Sequence, residues 1–277
     1  MATRETISEA PANSGKACSH HLLQEYRPEP GCKCGKLRGY RKLHTLFGLW
    51  LALFVSAHLA ICLSGLDPLR YQSTVGWIHG RLAHVPGGLL MPVFVPLFVQ
   101  AASGLFLARK EGLRYDIKRC DRGGKLRFFL QRISGLAILV FLLVHVGRMH
   151  GWGLPLLYRL THADVLARYA GGGSFAADGA AFASTVSAFH PWASPSGNFV
   201  IMAFLLLGIW ATVFHAANGA TSGAPLWKIV ETPQGKSRLK YTCVGIGMAL
   251  AVIGSVAWYA FSLSPNVHAT LPQLALR

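Results

Sequence analysis

Residues 130–149, LQRISGLAILVFLLVHVGRM, constrain the fold of this chain more than any other stretch. An α-helix rises about 1.5 Å per residue, so about 20 residues cross a hydrocarbon core about 30 Å thick. One histidine, His145, lies deep in this apolar run. An imidazole in lipid is costly unless a partner satisfies it. His145 therefore either hydrogen-bonds a neighbouring helix or binds a metal-containing group.

Four further runs have the same length and apolar character, at residues 44–65, 89–107, 199–217 and 243–263. The chain is 52% hydrophobic and only 14% charged, and its mean hydropathy is positive. Asp, Glu and Lys are absent from all five runs. These features predict an all-α fold, a polytopic bundle of five transmembrane helices.

The formal net charge of +16 follows mainly from membrane topology. Of the 27 Lys and Arg residues, 20 lie in the amino-terminal tail and in the connections between runs two and three and between runs four and five. Six lie on the other side. The positive-inside rule therefore predicts a cytoplasmic amino terminus. We expect a multi-pass protein of a bacterial inner membrane, without a nucleic-acid partner.

The same reasoning divides the chain into three parts. Residues 1–42 are predicted to form a polar cytoplasmic tail, residues 43–265 the five-helix membrane domain, and residues 266–277 an external carboxyl-terminal tail. The long outer loop 149–198 includes a candidate interfacial helix at 156–169, but its role is left open.

The tail carries Cys18, Cys32 and Cys34, near paired histidines. A metal site and free cytosolic thiols are the two alternatives, and the C-x-C spacing favours thiols.

The depth of the histidines in the membrane suggests how they pair. His58 lies 14 residues after His44, about 21 Å along the first span, and His145 lies 15 residues into the third, about 22 Å along it. Both spans run outwards, so His58 and His145 share one depth near the outer face. Two imidazoles at one depth on different helices suit the axial positions of a b-type haem. We therefore predict that they bind haem iron.

His215 lies near the inner end of the fourth span. The polar side chains of the second span are Gln100 and Ser103, and Gln100 lies about 13 Å from the inner end, a little higher than His215 but within reach if the helices tilt. Three interpretations stay open. His215 binds a haem whose other face is weakly bound or open, hydrogen-bonds Gln100 without haem, or lines a quinone pocket.

Four segments carry a resemblance to a known family: FGLWLALFVSAHL, PLFVQAASG, LQRISGLAILVFLLVH and FHAANG. With these motifs the chain resembles the five-helix, dihaem cytochrome b subunit of succinate dehydrogenase and fumarate reductase. This subunit is the single-anchor type B membrane anchor of respiratory complex II. The resemblance covers the five spans, about residues 40–265.

The resemblance implies an outer haem held by His58 and His145. It also implies an inner haem held by histidines of the second and fourth spans. The fourth-span residue here is His215, but Gln100 stands at the second-span position. One haem b is therefore expected, and the second is left open because Gln100 replaces a ligand.

The function implied is electron transfer between a cytoplasmic iron–sulfur subunit and membrane quinone, with menaquinone expected. A separate flavoprotein subunit would oxidise succinate, because this chain has no dinucleotide fingerprint and no ferredoxin-type cysteine run. The alternatives are a cytochrome b anchor of another respiratory dehydrogenase and a haem-free anchor. The direction of catalysis and oligomers of the complex are left open.

Further candidate site residues share positions near the ends of the spans. Haem propionates are expected near Arg132 and His44, and quinone candidates are Gln131, Ser134, Asp67 and Trp77.

Overall fold

The computed structural model describes residues 34–82, 84–85, 88, 90–111, 122–149, 180–190 and 195–275. Within these ranges the regular secondary structure is helical, and no strand occurs. The helices are α1 Cys34–Leu63, α2 Pro68–Leu82, α3 Val95–Glu111, α4 Arg122–Met149, α5 Ala181–Phe189, α6 Pro195–Gly223, α7 Pro233–Ser262 and α8 Pro265–Ala275. Short 3-10 turns follow α1 and α6, and a π turn leads into α3.

Five of these helices, α1, α3, α4, α6 and α7, are long and apolar enough to cross a membrane. The predicted all-α bundle is therefore confirmed. Helices α1 and α7 begin at Cys34 and Pro233, about ten residues before the predicted apolar runs. Each has 30 residues and is about 45 Å long, so its basic first turns can extend beyond a hydrocarbon core of about 30 Å.

Local sequence explains where α7 starts. The Thr232 side chain accepts a hydrogen bond of 3.1 Å from the backbone N–H of Gly235, and Pro233 occupies the first turn. A threonine N-cap followed by proline is a favourable helix start, because it satisfies an otherwise unpaired N–H and presets the backbone angle.

Helices α1 and α6 occupy the centre of the bundle. Helix α1 packs on α3, α6 and α7, while α6 packs on α4 and α7. Helix α3 therefore lies beside α1, and α4 lies beside α6. This arrangement brings together the helices that carry the four histidines of the apolar runs.

The bundle has two chemically different ends. At the basic end, α1, α4 and α7 begin and α3 and α6 finish. Exposed cations of the described residues there are Arg38, Arg109, Lys110, Lys228, Lys236, Arg238 and Lys240.

At the opposite end, short helices α2, α5 and α8 form a cap over the end of α7. Its core consists of Tyr71, Val75, Ala181, Phe182, Val186, Ala260, Phe261 and Val267. The Tyr71 hydroxyl lies 3.2 Å from that of Thr185. Burial, with a smaller effect of nearby Cys62, raises the pKa of the Tyr71 phenol, which is therefore neutral.

The cap was not predicted from the sequence. The segment expected to be an external tail is helical from Pro265 to Ala275, and Val267 within it is fully buried. The candidate helix at 156–169, most of the amino-terminal tail, and Cys18 and Cys32 lie outside the described residues.

Candidate functional site

His58 on α1 and His145 on α4 face each other near the cap end of the bundle. Their ring centroids are 6.2 Å apart and their planes make an angle of 72°. Each ring stacks on a phenylalanine one turn earlier on its own helix, with centroid distances of 5.7 Å for Phe54 and 5.4 Å for Phe141. The structure thus brings together the two histidines paired by depth, and the stacked phenylalanines orient their rings.

A second pair of imidazoles lies nearer the basic end. The ring facing His215 on α6 belongs to His44 on α1, with centroids 6.5 Å apart and planes at 85°. Gln100 on α3, the expected partner of His215, instead donates its side-chain amide to His44, with an Nε2–Nε2 distance of 3.2 Å. The sequence placed His44 at the inner end of its span, but α1 begins ten residues earlier, at Cys34, and His44 therefore lies beside Gln100.

Hydrogen bonds assign the protons on both inner rings. The Ser103 hydroxyl donates to the Val99 carbonyl at 2.6 Å, so it accepts from His44 Nδ1 at 3.0 Å. His215 Nδ1 lies 3.0 Å from the Gln131 carbonyl, which can only accept, and 3.1 Å from Ser134 Oγ. Both rings therefore carry their proton on Nδ1 and have a lone pair on Nε2.

A polar chain joins α4 to α6 behind His215. The Gln131 side chain donates to the His215 carbonyl at 3.1 Å and accepts from Asn218 Nδ2 at 2.7 Å. Asn218 Oδ1 in turn accepts from Arg127 Nε at 2.8 Å. Both the nitrogen and the oxygen of the Gln131 amide therefore hydrogen-bond across the α4–α6 interface.

Asn218 and Arg127 were missed by sequence reasoning. The available signal was helical spacing, since Asn218 follows His215 by three residues and Arg127 precedes Gln131 by four.

Glycines let the inner rings approach neighbouring helices closely. A Cβ built on Gly104 of α3 would lie 3.0 Å from His44 Cε1, and one on Gly135 of α4 would lie 3.0 Å from His215 Cε1. Gly48 of α1 leaves the same space for the Gln100 amide. Any side chain at these positions would push against the rings or the amide.

The other predicted residues have contacts of their own. The Arg132 guanidinium lies over the Phe128 ring, 4.0 Å from its centroid. Asp67 caps α2, because its Oδ1 accepts from the backbone N–H groups of Leu69 and Arg70 at 3.0 and 3.2 Å.

Trp77 on α2 is exposed, with Arg81 over its ring. The structure brings Gln131 and Ser134 to His215, and the contribution of these residues, Asp67 and Trp77 to a quinone site stays a prediction.

The spacing of both ring pairs fits two axial ligands on one metal ion. A metal–imidazole bond is about 2.0 Å long and the ring centroid lies about 1.1 Å beyond the nitrogen, so two ligands place their centroids about 6 Å apart. The observed 6.2 and 6.5 Å agree with that distance.

The chain is similar to a succinate dehydrogenase cytochrome b558 subunit. That protein, from Bacillus subtilis strain 168, is 23% identical over 226 residues, which cover 80% of this chain and 96% of the relative. No family model and no solved structure matches the chain. The similarity supports the cytochrome b family noted from the motifs, without specifying its subtype.

Proposed function

We propose that this chain is the haem b-containing membrane anchor of a succinate dehydrogenase or fumarate reductase complex. It would pass electrons between a cytoplasmic iron–sulfur subunit and membrane quinone. The pairing of His58 with His145 at 6.2 Å carries the proposal. The name of the B. subtilis relative, a cytochrome b558 subunit of succinate dehydrogenase, supports the assignment to complex II.

In this proposal His58 and His145 hold the haem iron through one imidazole nitrogen each. A b-type haem held by these two residues would supply one-electron redox chemistry. Phe54 and Phe141 restrict the rotation of the two imidazoles by stacking on them. Most other side chains on these turns are apolar, and such surroundings exclude water and help to set the reduction potential.

The basic end is the proposed docking face for the iron–sulfur subunit. Its exposed cations come from three separate parts of the chain: the start of α1, the end of α3, and the α6–α7 connection together with the first turns of α7. Glu231 is the one acid with a described side chain in these segments. Complementary charge would steer an acidic partner to this face, and the positive-inside rule favours a cytoplasmic location for it.

The first experiment measures haem in the complex purified through a tag on this chain. We expect a b-type α band in the reduced-minus-oxidised spectrum, and loss of the outer haem in His58→Ala and His145→Ala. His268→Ala is the matched control, because His268 is an exposed residue of α8 and should leave the haem content unchanged. A native complex without any b-type band would contradict the proposal.

The second experiment identifies what purifies with the chain. A flavoprotein and an iron–sulfur protein with succinate:menaquinone or fumarate activity are the expected partners. Recovery of another dehydrogenase, such as a hydrogenase, would exclude complex II and favour the alternative anchor function. Labelling of single cysteines at both ends in intact cells tests the topology, and a periplasmic basic end would contradict the docking assignment.

A further inference from the structure

The inner rings of His44 and His215 have nearly the same relative geometry as the outer pair. Their centroid distance is 6.5 Å against 6.2 Å, and their interplanar angle is 85° against 72°. We propose that His44 and His215 are the two axial ligands of a second haem b. Helix α3 carries Gln100 where the resemblance implies a histidine ligand. The second ligand of the inner haem would therefore come from α1. This inference rests on the proposed function and defines its inner centre.

The protonation of the two rings supports a ligand role. The protons on Nδ1 of His44 and His215 are held by Ser103 on one side and by the Gln131 carbonyl on the other. A histidine ligand commonly binds metal through one nitrogen while the other donates to a nearby acceptor, which fixes the tautomer and strengthens the ligand. Both Nε2 lone pairs are therefore in the form that iron requires.

Gln100 is a weaker candidate for the ligand than His44. Its amide nitrogen donates to the His44 Nε2 lone pair, where the metal would bind, so the Gln100 side chain must turn away when iron binds His44. An amide nitrogen has no basic lone pair, and the amide oxygen binds haem iron weakly. Oε1 of Gln100 is buried and has no hydrogen-bond partner among the described residues. The imidazole of His44, beside it, is the stronger donor.

Two glycines let neighbouring helices approach both proposed ligands closely. Gly104 and Gly135 lie against the edges of His44 and His215 from the neighbouring helices α3 and α4. These helices therefore present backbone rather than side chains next to both proposed ligands.

The number of histidines also agrees with two six-coordinate haems. Two bis-imidazole centres need four imidazoles, and the apolar runs contain four, His44, His58, His145 and His215. On α1 the two ligands are 14 residues apart, about 21 Å along the axis. The two centres would therefore be about 21 Å apart along α1, which is about two thirds of a hydrocarbon core about 30 Å thick.

The test starts from the unmodified complex, in which haem per chain is measured by pyridine haemochromogen assay. The ferric spin state and axial ligands are read by electron paramagnetic resonance and near-infrared magnetic circular dichroism. We expect two haems per chain, both low-spin with two imidazole ligands. One haem per chain, or a second haem that is high-spin, would overturn the inference while leaving the outer haem and the proposed function intact. Absence of all b-type haem would overturn both.

Variants identify the ligand on α1. His44→Ala should lower the haem content from two to one per chain, and His44→Met should convert one centre to an imidazole–thioether signature. Gln100→Leu tests the alternative ligand at the same level, and it should keep two low-spin haems with a shifted potential for the inner one. The outer signal reports that each variant is folded. Loss of the inner haem in Gln100→Leu but not in His44→Ala would make Gln100 the ligand and refute the inference.

Discussion

Gly208→Ala tests whether packing between α4 and α6 holds His145 in place. Gly208 on α6 faces the ring of Phe141 on α4, and Cε2 and Cγ of that ring lie 2.5 Å from the position of an added Cβ. Ordinary contact begins near 3.4 Å, so the ring must retreat by about 1 Å or more. Phe141 is only 8% exposed and stacks on His145, so it cannot retreat without disturbing that imidazole.

The free energy of this change can be bounded from known effects. Forcing an extra methyl group into a packed interior costs about 1–3 kcal/mol. Alanine regains up to about 1 kcal/mol relative to glycine in a helix. We therefore expect Gly208→Ala to lower the free energy of unfolding by about 1–2 kcal/mol.

The control is Gly245→Ala on α7, where an added Cβ meets no atom within 4 Å and the position is exposed. This variant should be as stable as the native chain or slightly more stable. Thermal and denaturant unfolding in detergent measures stability, and the low-temperature α band and the ferric signal of the outer haem report the His145 ring. If both variants have equal stability and unchanged outer-haem spectra, the packing argument is wrong.

Three further predictions concern the cap and the inner polar chain. Asp67→Ala should destabilise the chain by about 1 kcal/mol through loss of the α2 N-cap, while Asp67→Ser should retain most of that stability. If both variants are as stable as the native chain but lose quinone reduction, Asp67 binds quinone instead. Asn218→Ala should lower the free energy of unfolding by about 1–3 kcal/mol, because it removes the hydrogen bond to Gln131 Oε1. Thermal unfolding measures this loss, with Ser222→Ala at an exposed position of the same helix as the control. Burial lowers the pKa of His190 below its ordinary 6.5, so the unfolded chain binds the proton more readily and stability should fall as the pH drops below about 6.5. Melting temperatures compared across this pH range should show a weaker dependence in His190→Gln, and an unchanged dependence would refute this role of His190.

The five spans could be predicted because the signal is local and strong. Every backbone polar group in lipid must be satisfied within the segment, so an uninterrupted apolar run of spanning length has essentially one fold available. Helix periodicity and known depth also sufficed to pair His58 with His145, since both spans run in the same direction. The cap could not be predicted in this way. Helices α2, α5 and α8 are short, and they bury Tyr71, Phe182 and Val267 in one cluster only after chain segments more than 80 residues apart have met.

What the sequence by itself determined is the membrane class of the protein, its five helices and the common depth of His58 and His145. The physical reason is that hydrophobic length and rise per residue are properties of single helices. What only the tertiary structure decided is which imidazole faces which. His44 and Gln100 lie at similar depth, but the rotation of α1 against α6 turns His44 towards His215 and leaves Gln100 bonded to His44 from the side of α3. That rotation depends on contacts between helices, such as Gly104 against His44 and Gly135 against His215. The sequence of one helix therefore cannot predict it.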